Sequence, residues 1–208
     1  MKRANLVIIL VVLAIASCSG RRGIGPDWSG KLPPVSQPSM PALIPGYTEL
    51  DPATGLHMTG TPQLIDLASY RLAVTGAVDH PLSLSYDELR RLPRVEDKPA
   101  LICKGYFEDY ANWAGASLAS VLDLAGIKAG AVEVELVSAD GYSTSLKVSE
   151  ALAPGAFLAY ELEGTPLPVL HGFPVRAVFP SLLGNKWAKW VVEIRINLPG
   201  AAAEAPLN

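Results

Sequence analysis

Between Tyr70 and Ile196 the apolar residues fall into short runs bounded by glycine, proline and aspartate, and most of these runs have a period of two. Val132 to Val137 is the clearest: Val132, Val134 and Leu136 take one face and Glu133 and Glu135 the other, as in a half-solvated strand. Arg71 to Val78, Ala100 to Cys103, Tyr142 to Val148, Phe157 to Leu162, Val175 to Phe179 and Trp187 to Ile196 are further strand candidates, and Asp140-Gly141 suits a hairpin turn. In the last run Ala188, Trp190, Val192, Ile194 and Ile196 are expected on the buried face. Helical signals are fewer. Ser85 and Glu88 have capping-box spacing ahead of Tyr86, Leu89 and Leu92, with Pro93 as the stop. Ser117 to Ala125 places Leu118, Val121, Leu122 and Ala125 on one face and ends at Gly126. Ser149 to Ala153 reads as a short third helix, and Gly105 to Gly115, with Tyr106, Phe107, Tyr110 and Trp113, as a loop. Strands that do not alternate regularly with helices predict a single mixed, strand-rich α+β domain rather than a doubly wound sheet.

The flanks of this region differ from it. Lys2 and Arg3 precede an apolar run from Leu6 to Ala16, too short to span a bilayer comfortably, which ends in Ile15-Ala16-Ser17-Cys18. This predicts a lipoprotein signal over residues 1–17, with Cys18 as the lipidated residue of a protein held on the extracytoplasmic side of a bacterial membrane. Residues 18–45 are rich in proline and glycine and read as a tether. Residues 46–66 contain Tyr47, Leu50, Leu56 and Met58 and are expected to wrap the domain, which extends to residue 198; residues 199–208 read as a flexible tail. The 208 residues carry 17 Lys+Arg against 20 Asp+Glu, and loss of the signal removes only Lys2 and Arg3. A mildly acidic chain without a basic run offers nothing to a phosphate backbone, so nucleic acid is excluded as a partner.

The chain has two cysteines, and a lipid would consume one. Cys103 is then a lone exported thiol, which needs burial as a small hydrophobe, a metal, or a reactive role. A thiol redox cycle would lack a resolving cysteine. The chain has no Gly-x-Gly-x-x-Gly fingerprint, Walker lysine loop or Gly-x-Ser-x-Gly elbow.

Three segments carry the chemistry. They are Ile102-Cys103-Lys104-Gly105-Tyr106 followed by Trp113-Ala114-Gly115-Ala116-Ser117-Leu118; Ser138 at a strand end; and His171-Gly172-Phe173-Pro174-Val175-Arg176 leading to Lys186-Trp187-Ala188-Lys189. In this order, over residues 65 to 197, they resemble the molybdopterin-binding domain of the sulfite oxidase-like family, which includes sulfite oxidases, plant-type nitrate reductases and periplasmic methionine sulfoxide reductase catalytic subunits. The resemblance implies a molybdenum-molybdopterin (Mo-MPT) cofactor and an oxidoreductase that transfers an oxygen atom or two electrons to or from a small-molecule substrate. Cys103 matches the metal-ligand position, and a thiolate is a soft ligand suited to such a metal. Ser138, His171, Arg176, Lys186, Trp187, Ala188 and Lys189 match cofactor-contacting positions, the basic residues suiting the pterin phosphate.

Some readings stay open on the residues alone. Lys189 shares a predicted strand face with Glu193 and Arg195 and reads equally as solvated, and His171 before a glycine also suits a turn. His57 and His80 read as surface or turn residues. Relatives often carry an arginine close before the metal-binding cysteine, where this chain has Pro99, Ala100, Leu101 and Ile102. Tyr47-Thr48-Glu49 only faintly echoes the family's N-terminal pterin-contacting segment, and Lys2-Arg3 is not a twin-arginine signal. The chain shows no haem or dimerisation domain, so electrons are expected to pass to or from a separate protein. A binding lipoprotein that keeps the fold without the cofactor is the competing expectation.

Overall fold

The computed structural model describes residues 28–200. The signal, Cys18, the first part of the tether and the tail from residue 201 lie outside the described residues.

The regular elements are β1 Leu72–Gly76, β2 Leu82–Leu84, α1 Tyr86–Leu89, β3 Arg94–Asp97, β4 Ala100–Cys103, β5 Phe107–Tyr110, β6 Trp113–Ser117, α2 Leu118–Ala125, β7 Glu133–Ser138, β8 Ser143–Lys147, α3 Val148–Ala151, β9 Phe157–Leu162, β10 Thr165–Pro166, β11 Arg176–Val178 and β12 Val191–Asn197. One sheet has the order β2-β1-β12-β7-β8, with β1 and β12 parallel and the other neighbours antiparallel. A second has the order β10-β9-β6-β3, and β11 also pairs with β9; β4 and β5 form a separate hairpin. The predicted strand-rich α+β architecture is what the chain adopts.

Local chemistry explains the helices. Ser85 Oγ accepts from the Glu88 N–H while the Glu88 carboxylate accepts from the Ser85 N–H at 2.7 Å, which closes the capping box at α1. Ser117 caps α2 in the same sense, Gly126 ends it in the left-handed region, and Leu118, Val121, Leu122 and Ala125 are buried as their spacing predicts.

Two expectations need correction. Gly105 to Gly115 is no loop, because it holds β5 and the start of β6. In β5 the inward residues are Phe107 and the charged Asp109, so the alternation is concealed by polarity. In β6 Trp113 to Ala116 are all buried, and a Cβ on Gly115 would stand 1.9 Å from the Leu158 carbonyl oxygen, so the small residues that read as loop permit close strand packing. The last strand begins at Val191 rather than Trp187. Gly184–Lys186 forms a 3-10 turn, Trp190 has φ of 50°, and a bulge between Val191 and Glu193 turns Val191 inward in place of Val192.

The segment before β1 clasps the domain. Leu56 and Met58 are buried, whereas Tyr47 and Leu50 are exposed. Part of the predicted tether also lies on the domain surface: the Arg90 guanidinium donates to the Pro33 carbonyl at 3.0 Å, the Leu67 N–H donates to Gln37 Oε1 at 2.9 Å, and Val35 packs on the core.

Candidate functional site

The end of β4, the end of β7 and the turn ahead of β12 meet at one cavity of about 500 Å³. Cys103, the last residue of β4, opposes Phe107 in the hairpin and lines this cavity as a half-buried free thiol. Ser138, the last residue of β7, opposes Val191 and brings a buried hydroxyl without a hydrogen-bond partner among the described residues. Trp187, Ala188 and Lys189 form another part of the wall, and the exposed rings of Tyr47 and Tyr106, 6.4 Å apart, stand edge to face at the rim. The 3-10 turn seals one side of the thiol: a Cβ on Gly184 would lie 2.8 Å from Cys103 Sγ.

His171 and Arg176 lie in the layer behind this wall. Arg176, the first residue of β11, is 3% exposed and stacks with its guanidinium 4.5 Å from the centre of the Trp113 ring and 5.7 Å from that of Trp187. Its best acceptor is the His171 carbonyl at 3.4 Å, and its Nε has no partner among the described residues. Lys189 donates from Nζ to the Thr59 carbonyl and lies 4.7 Å from the centre of the Trp190 ring. Neither cation has an ion-pair partner among the described residues. Gly172, with φ of 109°, lets the two side chains converge, since a Cβ there would sit 3.0 Å from Arg176 Cβ and 3.1 Å from Lys189 Cβ.

The electrostatics follow from this crowding. Burial lowers the pKa of Arg176 to about 10. Burial, then the Arg176 charge, lowers that of Lys189 to about 7 and that of His171 to about 4, against the opposing pull of carboxylates. Burial raises the pKa of the Cys103 thiol, against the pull of Arg176 and Lys189. Cations packed together without an ion-pair partner among the described residues, a hydroxyl without a hydrogen-bond partner and a soft sulfur donor make an environment suited to an anionic ligand.

The predicted residues therefore divide. Cys103, Ser138, Trp187, Ala188 and Lys189 line the cavity, and His171 and Arg176 stand behind it. Lys186 is not among the lining residues: its Nζ donates to the Ser145 carbonyl at 2.7 Å, tying the turn to β8. The open reading of Lys189 as a solvated strand residue is corrected, because the bulge and the turn remove it from the strand that carries Glu193 and Arg195. Trp113 as the platform for Arg176, and Asp51 and Thr54, both hydrogen-bonded to His171 Nε2, are not foreseen in the sequence. His57, expected at the surface or in a turn, stacks on Phe107 and binds Asp109 through both Nδ1 and the backbone N–H, each at 2.7 Å. Asp51-Pro52-Ala53-Thr54-Gly55 does carry a turn signature, but no local pattern names the partner 120 residues away.

Fold and site together set a free thiol on the wall of a cavity, close to two cations. The chain belongs to the family of oxidoreductase molybdopterin-binding domains, whose model matches residues 57–198. It is 34% identical over 178 residues to the oxidoreductase YuiH of Bacillus subtilis, covering 84% of each chain. It is 31% identical to sulfite oxidase of Arabidopsis thaliana, over 81% of this chain and 52% of the plant protein. The sulfane dehydrogenase SoxCD of Paracoccus pantotrophus shares the fold, with a TM-score of 0.62 and 23% identity over 89% of this chain and 57% of that one. The chain thus spans most of YuiH but only about half of the plant enzyme and of the SoxCD chain. Molybdenum-molybdopterin is the cofactor that the family implies, and the residues present fit it: a thiol for the metal, orphaned donors at Arg176 and Ser138, and a second, half-buried cation for a phosphate.

Proposed function

We propose that the protein is a lipid-anchored, extracytoplasmic molybdopterin-dependent oxidoreductase that transfers an oxygen atom or two electrons at a mononuclear molybdenum centre, with Cys103 as the protein's metal ligand. The observation that carries this reading is the free thiol of Cys103 on a cavity wall, under the positive charge of Arg176 and Lys189. When bound, the cofactor supplies a two-electron redox change at one metal atom. The chain's own residues do the rest. Cys103 releases its thiol proton on coordination, and the two cations favour the resulting charge. Arg176 and Lys189 hold positive charge for the phosphate, Ser138 offers its hydroxyl, and Trp187 and Trp190 exclude water from the wall. Tyr47 and Tyr106 frame the entrance for a small-molecule substrate, and electrons pass to or from a separate protein.

The extracytoplasmic location rests on the Leu6 to Cys18 sequence.

Cys103→Ala tests the reading. Produced in a host that makes the cofactor, the wild type is expected to hold molybdenum near one atom per chain, and the variant to lose both metal and activity while keeping its circular dichroism spectrum. A wild type free of molybdenum would instead favour the cofactor-free binding lipoprotein, whose partner capture should survive the substitution.

A further inference from the structure

His171 is held from the segment that wraps the domain. Its Nε2 lies 2.9 Å from Asp51 Oδ2 and 2.8 Å from Thr54 Oγ1, with Asp51 4% and His171 2% exposed. The Thr54 hydroxyl donates to the same Asp51 oxygen at 3.0 Å, and the other oxygen accepts from the Ala53 N–H at 3.0 Å. Burial opposes ionisation of Asp51, but the hydrogen bonds from Ala53, His171 and Thr54 outweigh it and hold its pKa below the ordinary carboxylate value. An ionised carboxylate has no proton to give, and the Thr54 proton is already engaged. The proton between ring and carboxylate must therefore sit on Nε2, since a bare Nε2 would turn its lone pair against an anion. With its pKa lowered to about 4, the ring carries no second proton at neutral pH. Nδ1 is then a bare acceptor, and it has no hydrogen-bond partner among the described residues.

We propose that Asp51 is a positioning residue that locks His171 as the uncharged Nε2–H tautomer behind the cavity wall, so that the His171 carbonyl stays aimed at Arg176 and the ring adds no charge beside that guanidinium. This rests on the cofactor reading and deepens it. The ligand must carry anionic groups for Arg176 and Lys189, and the histidine adds no positive charge of its own. Thr54 supports the carboxylate but does not decide the tautomer, because Asp51 alone suffices as the acceptor.

The test uses the full chain with and without cofactor. In cofactor-free, ¹⁵N-labelled protein at pH 7, the long-range proton–nitrogen spectrum of His171, assigned by its disappearance in His171→Gln, is expected to show a pyrrole-type Nε2 and a pyridine-type Nδ1. Thr54→Val is expected to keep that pattern. Asp51→Asn, whose amide can present either a donor or an acceptor, is expected to mix the tautomers and to lower molybdenum and pterin content about tenfold, the scale set by residues that orient a ligand from behind. An Nδ1–H or imidazolium spectrum in the wild type overturns the inference whatever the metal content, and the wild-type spectrum decides the tautomer even if Asp51→Asn does not fold. Full cofactor content in folded Asp51→Asn overturns the positioning role. A wild type with the expected spectrum but no molybdenum overturns the proposed function and the ligand half of this inference, while the tautomer lock stands.

Discussion

Burying a guanidinium with no ion-pair partner among the described residues costs several kcal/mol, of which Arg176 recovers part from the faces of Trp113 and Trp187. Arg176→Met keeps the volume and removes the charge. Cofactor-free Arg176→Met is expected to unfold in urea within about 2 kcal/mol of the wild type, because relief from the buried charge offsets the lost stacking. Its molybdenum content should fall about tenfold. Retention of the metal by the variant would remove Arg176 from the site. His171 makes a second residue-scale prediction. Its folded pKa is depressed from 6.5 to about 4, so between those values the unfolded chain binds more protons than the folded one. Stability of the cofactor-free protein is expected to fall as pH drops through this window, by about 3 kcal/mol at most, and the depressed pKa of Asp51 acts in the same direction. Urea titrations at several pH values should show this slope in the wild type and most of it gone in His171→Gln.

Among the elements, the Gly184–Lys186 turn sets the environment of the thiol, because it lies directly against Cys103 Sγ. Gly184→Ala would place its Cβ 2.8 Å from that sulfur and 3.0 Å from Leu101 Cδ1, and the turn must lift to relieve both contacts. A loss of about 1–3 kcal/mol is expected on thermal unfolding, together with reduced molybdenum content; an unchanged melting temperature would contradict this packing. Elements were legible in the sequence where local chemistry was self-sufficient. The capping residues of α1 and α2 and the clean alternation of β7 required no distant partner. Strands β5 and β6 are hidden in the sequence because Asp109 occupies an inward position, where His57 binds it, and because Gly115 and its small neighbours serve the approach of β9. The start of β12 is hidden for a related reason: its bulge accompanies pairing with β7, which lies far away in sequence.

At the scale of the whole molecule, the proposed anchor and the folded domain should be separable. Cys18→Ser is expected to move the protein from the membrane to the soluble fraction while leaving molybdenum per chain unchanged, as measured by fractionation and metal analysis. Persistence in the membrane would reject lipidation at Cys18. By itself the sequence determined the strand-rich class, the two capped helices and the order of the cofactor-related residues, since these depend on periodicity, turn chemistry and motif spacing along the chain. Only the tertiary structure decided that Lys189 leaves its strand, that Lys186 turns aside to β8, that Trp113 carries Arg176 and that Asp51 holds His171. Each of these depends on which groups share a low-dielectric space. Burial and close approach are properties of elements folded against one another, and residues 120 positions apart carry no trace of them in their local pattern.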